Sequence, residues 1–246
     1  MNNLTYIEEI RQYWNTRAEG YSQKSLDELE TAEGAYWSGR LTRHLPQGER
    51  LTCMDMGCGP GMLGILLGKM GHHVTFFDYS EEMLAQAEQN AQGLSATFVR
   101  GDAQAPDFPD GTFDVIVSRN LVWNLEQPEE AYRQWLRMLK PGGRLIVFDG
   151  NHYLHQFQTT YAEIKHCPKY RDPHTKEYMK GVDPEVMARI ARHLPLSCEE
   201  RPAWDASFFL QQPLTSLLVE PHWQKFHGHG GKRKSIIQSF AIVAEK

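Results

Sequence analysis

Between residues 51 and 148 the chain alternates five short apolar runs with helical stretches and glycine-rich or polar turns. The runs fall at 51–56, 73–77, 96–99, 113–117 and 145–148. The run at 113–117 is almost wholly apolar, as a strand covered on both faces must be. Between them, Leu63, Leu66, Leu67 and Met70 share one helical face, and Gly71 stops that helix. Ser80 is placed to cap a helix running to Asn90, with Glu81 and Glu82 favourably set in its first turn. Pro128 opens another helix, Ala131, Trp135 and Leu139 mark its buried face, and Pro141-Gly142-Gly143 ends it. Five strands alternating with helices predict an α/β fold with a doubly wound, mostly parallel sheet.

The flanks differ in rhythm. Ile7, Ile10, Trp14, Ala18 and Tyr21 recur at helical spacing, and Leu26, Leu29, Trp37, Leu41 and Leu45 predict a second helix before Pro46 and Gly48. Residues 151–202 are rich in His, Tyr, Lys and Pro and read as an inserted cap with one helix near 184–194. Two closing strands follow at 214–220 and 236–244, joined by a polar loop over 227–234. A length of 246 residues suits a single domain.

The net charge of -5 argues against a broad phosphate-binding surface, so nucleic acid is not expected as the main partner. Residues 1–13 lack the pattern of a secretory signal, and no run of 18 apolar residues occurs. Cys53, Cys58, Cys167 and Cys198 form no C-x-x-C pair, which fits a reducing, cytoplasmic setting.

The chemistry concentrates after the first strand, in Met54-Asp55-Met56-Gly57-Cys58-Gly59-Pro60-Gly61. Glycines between a strand and a helix let the backbone turn sharply and approach a ligand. A dinucleotide fingerprint would require glycine where Met62 stands, and Asp55 would repel a pyrophosphate. A carboxylate there suits a ligand with a positive end, such as an amino or sulfonium group. Asp78, closing the second strand, is placed to accept both hydroxyls of a ribose; its plainer role is a turn aspartate. Asp102, in Gly101-Asp102-Ala103, is placed to accept the amine of adenine, with Ala103 donating its N–H to the ring; a turn aspartate is again the plainer role.

Taken in order, Asp55 to Gly61, Asp78, Gly101-Asp102-Ala103, the 113–117 run and Leu139-Lys140-Pro141-Gly142-Gly143 resemble the successive motifs of class I S-adenosylmethionine (SAM)-dependent methyltransferases. Their wording is similar to the methyltransferase type 11 family, which includes ubiquinone/menaquinone-biosynthesis-like enzymes. The resemblance covers about residues 10–150. It implies a Rossmann-like seven-stranded sheet whose last strand is antiparallel, SAM as cofactor, S-adenosylhomocysteine as product, and a small-molecule acceptor. On that basis 1–45 forms lid helices, 46–150 the SAM-binding core, 151–202 the cap and 203–246 the closing helix and strands.

The resemblance further implies that Asp55, Gly57, Cys58 and Gly59 border the methionine part of SAM. Asp78 takes the ribose, Tyr79 and Met83 flank the adenine, and Gly101, Asp102 and Ala103 meet its edge. Ser118, Arg119 and Asn120 line the methionine end and the substrate entrance. Tyr13, Trp14, Arg17 and Tyr21 belong to a lid, although Trp14 and Tyr21 suit core packing equally. Methyl transfer from a sulfonium is an in-line displacement that needs alignment and dryness, and a general base only where the nucleophile starts protonated. His152 is the candidate base among His152, Tyr153 and His155; Trp123, Asn124 and Tyr153 are expected to line the acceptor site. Trp123 also fits simple packing.

Other acceptor chemistries lack their residues. Ser118-Arg119-Asn120-Leu121 replaces the Asn/Asp-Pro-Pro-aromatic stretch of base and glutamine methylation, and no Pro-Cys pair follows the fourth strand. Asp149 and Asn151 stand where catechol-type enzymes hold a metal, but a third acidic ligand is missing, so no metal is expected. His166, Cys167 and His174 lack zinc spacing, and His227 and His229 beside Lys232-Arg233-Lys234 read as a solvated loop. The alternatives are a tRNA or protein methyltransferase using the 232–234 cluster, and a SAM-binding sensor or partner protein without turnover. A nucleotide-dependent oxidoreductase is disfavoured by Met62 and Asp55.

Overall fold

The computed structural model describes residues 6–164, 167 and 175–246. Seven strands form one sheet: β1 (Thr52–Met56), β2 (His73–Asp78), β3 (Ala96–Arg100), β4 (Phe113–Arg119), β5 (Leu139–Gly150), β6 (Ser216–His227) and β7 (Arg233–Glu245), in the order β3-β2-β1-β4-β5-β7-β6. Pairs among β1 to β5 are parallel, while β7 runs antiparallel to both β5 and β6. This is the Rossmann-like methyltransferase sheet expected from the sequence. The strand order reverses between β1 and β4, where doubly wound sheets open a crevice at the strands' carboxyl ends.

Alternation along β1 explains how one strand serves two layers. Met54 and Met56 join the core on one face, with Phe77, Ile116 and Trp135. Cys53 joins the other, with Leu63, Leu67, Phe76 and Val115. Asp55 shares the face of Cys53 and so meets the helix that follows. Around the sheet lie α1 (Ile7–Glu30), α2 (Ala32–His44), α3 (Met62–Lys69), α4 (Glu81–Asn90), α5 (Pro128–Met138), α6 (Thr159–Glu163), α7 (Lys176–Met179), α8 (Pro184–Ala191) and α9 (Ala203–Phe209).

The predicted strands and core helices are present, with shifts at their ends. Leu26 and Leu29, assigned to a second helix, lie in α1. The break comes at Thr31, whose extended backbone leaves the helix and whose hydroxyl accepts the Glu33 N–H at 3.2 Å to cap α2. The closing strands are longer than read: His227 pairs with Arg233 and Phe226 with Lys234, so the ladder consumes most of the polar loop. Phe226 and Ile236 are buried there against Leu154, Tyr161 and Ile164 of the cap. A helix near 184–194 shortens to α8. No helix among the described residues is long and apolar enough to cross a membrane.

Candidate active site

The turn after β1 is shaped by close approach. Gly57 has φ +63°, and a Cβ there would stand 2.6 Å from the Leu121 side chain. Gly59, at φ +53°, passes beneath the Tyr21 ring, which a Cβ would meet at 3.7 Å. The Cys58 N–H donates to the Phe77 carbonyl at 3.0 Å, locking the turn to the end of β2.

Three carboxylates stand at the ends of three consecutive strands. Asp55 is buried and accepts the Gly64 N–H at 2.8 Å. Burial, with a smaller contribution from neighbouring Asp78, pushes its carboxyl up to about 7. Asp78 accepts the Gly59 N–H and the Ser80 N–H, both at 2.8 Å, and burial raises it to about 6. Asp102 accepts the N–H of Gln104 at 2.9 Å and its side-chain amide at 3.1 Å. The Gln104 carbonyl in turn accepts the Gln127 N–H at 2.6 Å, and the buried Trp135 indole donates to the Ala103 carbonyl at 2.8 Å. All three carboxylates line one cavity at the carboxyl ends of the strands, where doubly wound sheets bind their ligands.

Helix α1 roofs this cavity. Ile7, Trp14 and Tyr21 face it at seven-residue spacing, joined by Arg11 and Ser25. Polar ties hold the roof down: the Tyr79 hydroxyl donates to Glu8 at 2.7 Å, Arg11 to Glu81 at 2.6 Å, and the Ser80 hydroxyl to Asn15 at 2.6 Å. Ser80 also caps α4 through the Met83 N–H, bringing Met83 and Tyr79 to the same wall.

At the end of β4, Arg119 and Asn120 line the cavity too. Asn120 is held at φ +55°, with its N–H on the Phe148 carbonyl at 2.9 Å. Asparagine tolerates this left-handed backbone better than other non-glycine residues, which lets the chain turn sharply at the cavity wall. Asn124, one turn further on, is buried in the wall, and its Oδ1 has no hydrogen-bond partner among the described residues.

The predicted residues therefore divide. Trp14, Tyr21, Asp55, Gly57, Cys58, Gly59, Asp78, Tyr79, Met83, Gly101, Asp102, Ala103, Arg119, Asn120 and Asn124 surround one cavity. Tyr13, Trp123 and Tyr153 lie off its wall, in an apolar cluster with Ile10, Met187 and Ile190. Arg17 turns away to the carbonyl of Tyr178. His152 is one step removed: its ring packs on Trp123 with centroids 5.3 Å apart, and the Trp123 indole donates to the carbonyl of Asn120. The cap contributes no wall residue among those described; instead α7 and α8 brace α1, through Arg17 on Tyr178 and through Tyr13 and Ile10 on Met187.

Asp149 has a different role from a metal ligand. It is buried and bonds the Arg201 guanidinium at 2.5 Å, the His152 Nε2 at 3.1 Å and the Trp123 N–H at 3.3 Å. Arg201 also grips Asp205, which accepts the Tyr132 hydroxyl at 2.7 Å. Asn151 accepts the Arg201 N–H at 2.9 Å. No group of three His, Cys, Asp or Glu among the described residues could hold a metal ion. His166 and His174 lie outside the described residues; Lys234 pairs with Glu163 at 2.8 Å.

Sequence reasoning did not single out Arg11, Ser25, Gln104 or Glu126 as wall residues. The spacing Ile7, Trp14, Tyr21 carried the signal for the roof; nothing local marked Gln104, whose role depends on pairing with Gln127.

Comparison with known proteins finds relatives in sequence and in fold. A family model described as "Methyltransferase domain" matches residues 54–147. A 2-methyl-6-phytyl-1,4-hydroquinone methyltransferase of Synechocystis sp. is 36% identical over 142 residues, covering 54% of this chain and 41% of that protein. The chain thus spans about two fifths of that curated relative's length. Among solved structures, a SAM-dependent methyltransferase from Mesorhizobium loti superposes with TM-score 0.55 at 17% identity, covering 85% and 96% of the two chains. Phosphoethanolamine N-methyltransferase 2 of Haemonchus contortus, in complex with SAM, superposes at 0.54 with 19% identity, covering 76% and 38%. Identities this low speak for the fold alone.

Proposed function

Because the chain belongs to the class I SAM-dependent methyltransferases, we propose that it moves a methyl group from SAM to a small-molecule acceptor inside the cavity beneath α1. The observation that carries this reading is the row of Asp55, Asp78 and Asp102 along a single cavity. A ligand carrying an ammonium group, a ribose diol and an adenine amine offers donors at three matching places. The residues present fit such a ligand: the acidic wall favours its positive charge, and Arg119 leaves a buried Nε donor without a partner among the described residues.

When bound, the cofactor supplies a methyl group already activated on a sulfonium. The protein's part is to bind, orient and exclude water. Asp78, fixed by two backbone N–H donors, presents lone pairs to the ribose hydroxyls without having to reorganise. Gln104 holds Asp102 toward the adenine edge, and Met83 and Tyr79 lie beside the ring. Trp14 and Tyr21 shut the roof. Asn124 is the polar group of the acceptor end, with Leu121, Leu125 and Ile10 as its apolar surroundings. The acceptor is a small molecule bearing one nucleophilic group, the class that the names of the relatives suggest. Among the described residues the wall holds no histidine, and Asp55, Asp78 and Asp102 are given to the cofactor, so the acceptor arrives with its nucleophile free or deprotonates to solvent before closure.

Calorimetric titration with SAM, and separately with NAD, tests the reading. SAM binding in the micromolar range without NAD binding supports it; a folded protein that ignores SAM overturns it. Release of S-adenosylhomocysteine with a hydroquinone or phosphoethanolamine in the mixture then separates an enzyme from a SAM-binding sensor.

A further inference from the structure

The roof does more than cover the cavity, because one charged wall residue depends on both N-terminal helices for its placement. Arg119 ends β4 with its side chain about one-sixth exposed. Its guanidinium lies over the Trp37 ring of α2, with 4.7 Å between Cζ and the centroid. Nη2 meets Glu28 of α1 at 3.0 Å, and Nη1 contacts the Met62 sulfur. That leaves Nε, buried and without a hydrogen-bond partner among the described residues. Trp37 is itself fixed, edge-on to Phe148 at 5.2 Å, with Arg40 on its ring at 5.7 Å. A planar cation stacked on an indole and held at one edge has little freedom left.

The wall beside it carries the opposite sign. Asp55 lines the same cavity and feels the charge of Arg119. A guanidinium and a carboxylate on the same cavity wall complement the carboxylate and ammonium of a free α-amino acid. We infer that Trp37 and Glu28 are positioning residues that hold Arg119 as the recognition group for the carboxylate at the methionine end of the cofactor. This rests on SAM being the ligand of the cavity, as proposed above. The N-terminal helices then do more than exclude water: they make the site select cofactors that keep their carboxylate.

The test compares SAM with its decarboxylated form, S-adenosyl-3-(methylthio)propylamine, by calorimetric titration of the full chain. The unsubstituted protein is expected to prefer SAM by about tenfold or more, the scale of a charge-assisted hydrogen bond. Arg119→Gln removes that preference by weakening SAM alone. Trp37→Ala narrows it several-fold while binding of the decarboxylated form stays put, and Trp37→Phe, which keeps an aromatic face, restores it. Unchanged affinity for the decarboxylated form also reports that each variant is folded. Equal affinity for both ligands in the unsubstituted protein, or a preference undiminished in Trp37→Ala, overturns the inference. Failure to bind either ligand overturns the cofactor reading itself, a separate and recognisable result.

Discussion

Two buried aspartates, each at or near the carboxyl end of a strand in the same sheet, face opposite fates. Asp55 at β1 has one backbone donor and, among the described residues, no bonded cation, and burial holds its carboxyl up at about 7. Asp149 at β5 is buried as deeply, yet it is held down at about 2: burial works to raise it, and the Arg201 charge with the His152 bond outweighs that. Where the chain supplies its own counter-ion, the carboxylate is structural and ties the closing region to the sheet. Where it does not, the carboxylate lies open on the cavity wall, and we propose that the cationic cofactor meets it there. The difference separates a buried polar group that builds from one that we propose binds.

Breaking the structural member has the largest expected effect. Arg201→Ala leaves Asp149 and Asp205 buried without their cation, and about 3–5 kcal/mol of stability should disappear, read as urea midpoint or Tm. A loss below 1 kcal/mol would mean that the network is solvated after all. The binding member should respond with the opposite sign on stability. Asp55→Asn removes an uncompensated charge, so the ligand-free protein should melt at a higher temperature at pH 8 while its SAM affinity falls. A variant both less stable and tighter-binding would invert the contrast. Asp78→Ala should weaken SAM binding by about 1–3 kcal/mol in calorimetry, the scale of losing a buried hydrogen-bonding partner.

The pH dependence sharpens the same comparison. Asp55 titrates near 7 in the folded protein against 3.8 as its reference, so the native state holds the proton longer than the unfolded chain. Stability of the ligand-free protein should therefore fall as pH rises from about 4 to about 7 and then level off. SAM affinity should climb as pH passes about 6 to 7, because the cationic ligand favours the ionised carboxylates. The contribution of Asp149 has the reverse sign: present above its reference value and lost only as pH drops toward 2. Thermal melts and titrations between pH 5.5 and 8.5 check both halves; parallel curves for stability and affinity would remove the distinction. The smallest effect is expected from His152→Ala, a drop in turnover of less than about threefold, since a proton-transferring group typically contributes a hundredfold or more. A hundredfold loss with unchanged SAM affinity would return His152 to the role of base.

Most of the acidic wall of the cavity was legible in the sequence. Glycines after the first strand, an aspartate closing the second and another closing the third are local signals, because strand ends and turns are set by neighbouring residues. The structural side was not. Arg201 lies 52 positions from Asp149, and no periodicity pairs them. The same holds for Arg119, whose partners Glu28 and Trp37 come from helices 91 and 82 positions earlier. Tyr13, Trp123 and Tyr153 have the composition of a binding wall, and only packing sends them to a cluster with Met187 and Ile190. His152 sits near the right strand end in sequence but is turned onto Asp149.

The sequence by itself determined the alternation of strands and helices, hence the doubly wound sheet, and the acidic residues at its strand ends. Those follow from short-range propensity, capping and side-chain period, which need no knowledge of distant neighbours. The tertiary structure decided which buried charges are neutralised from within and which stay open, and which face of α1 becomes a roof. Those outcomes depend on desolvation and counter-ions brought together across long stretches of chain, and they come into being only when the sheet closes.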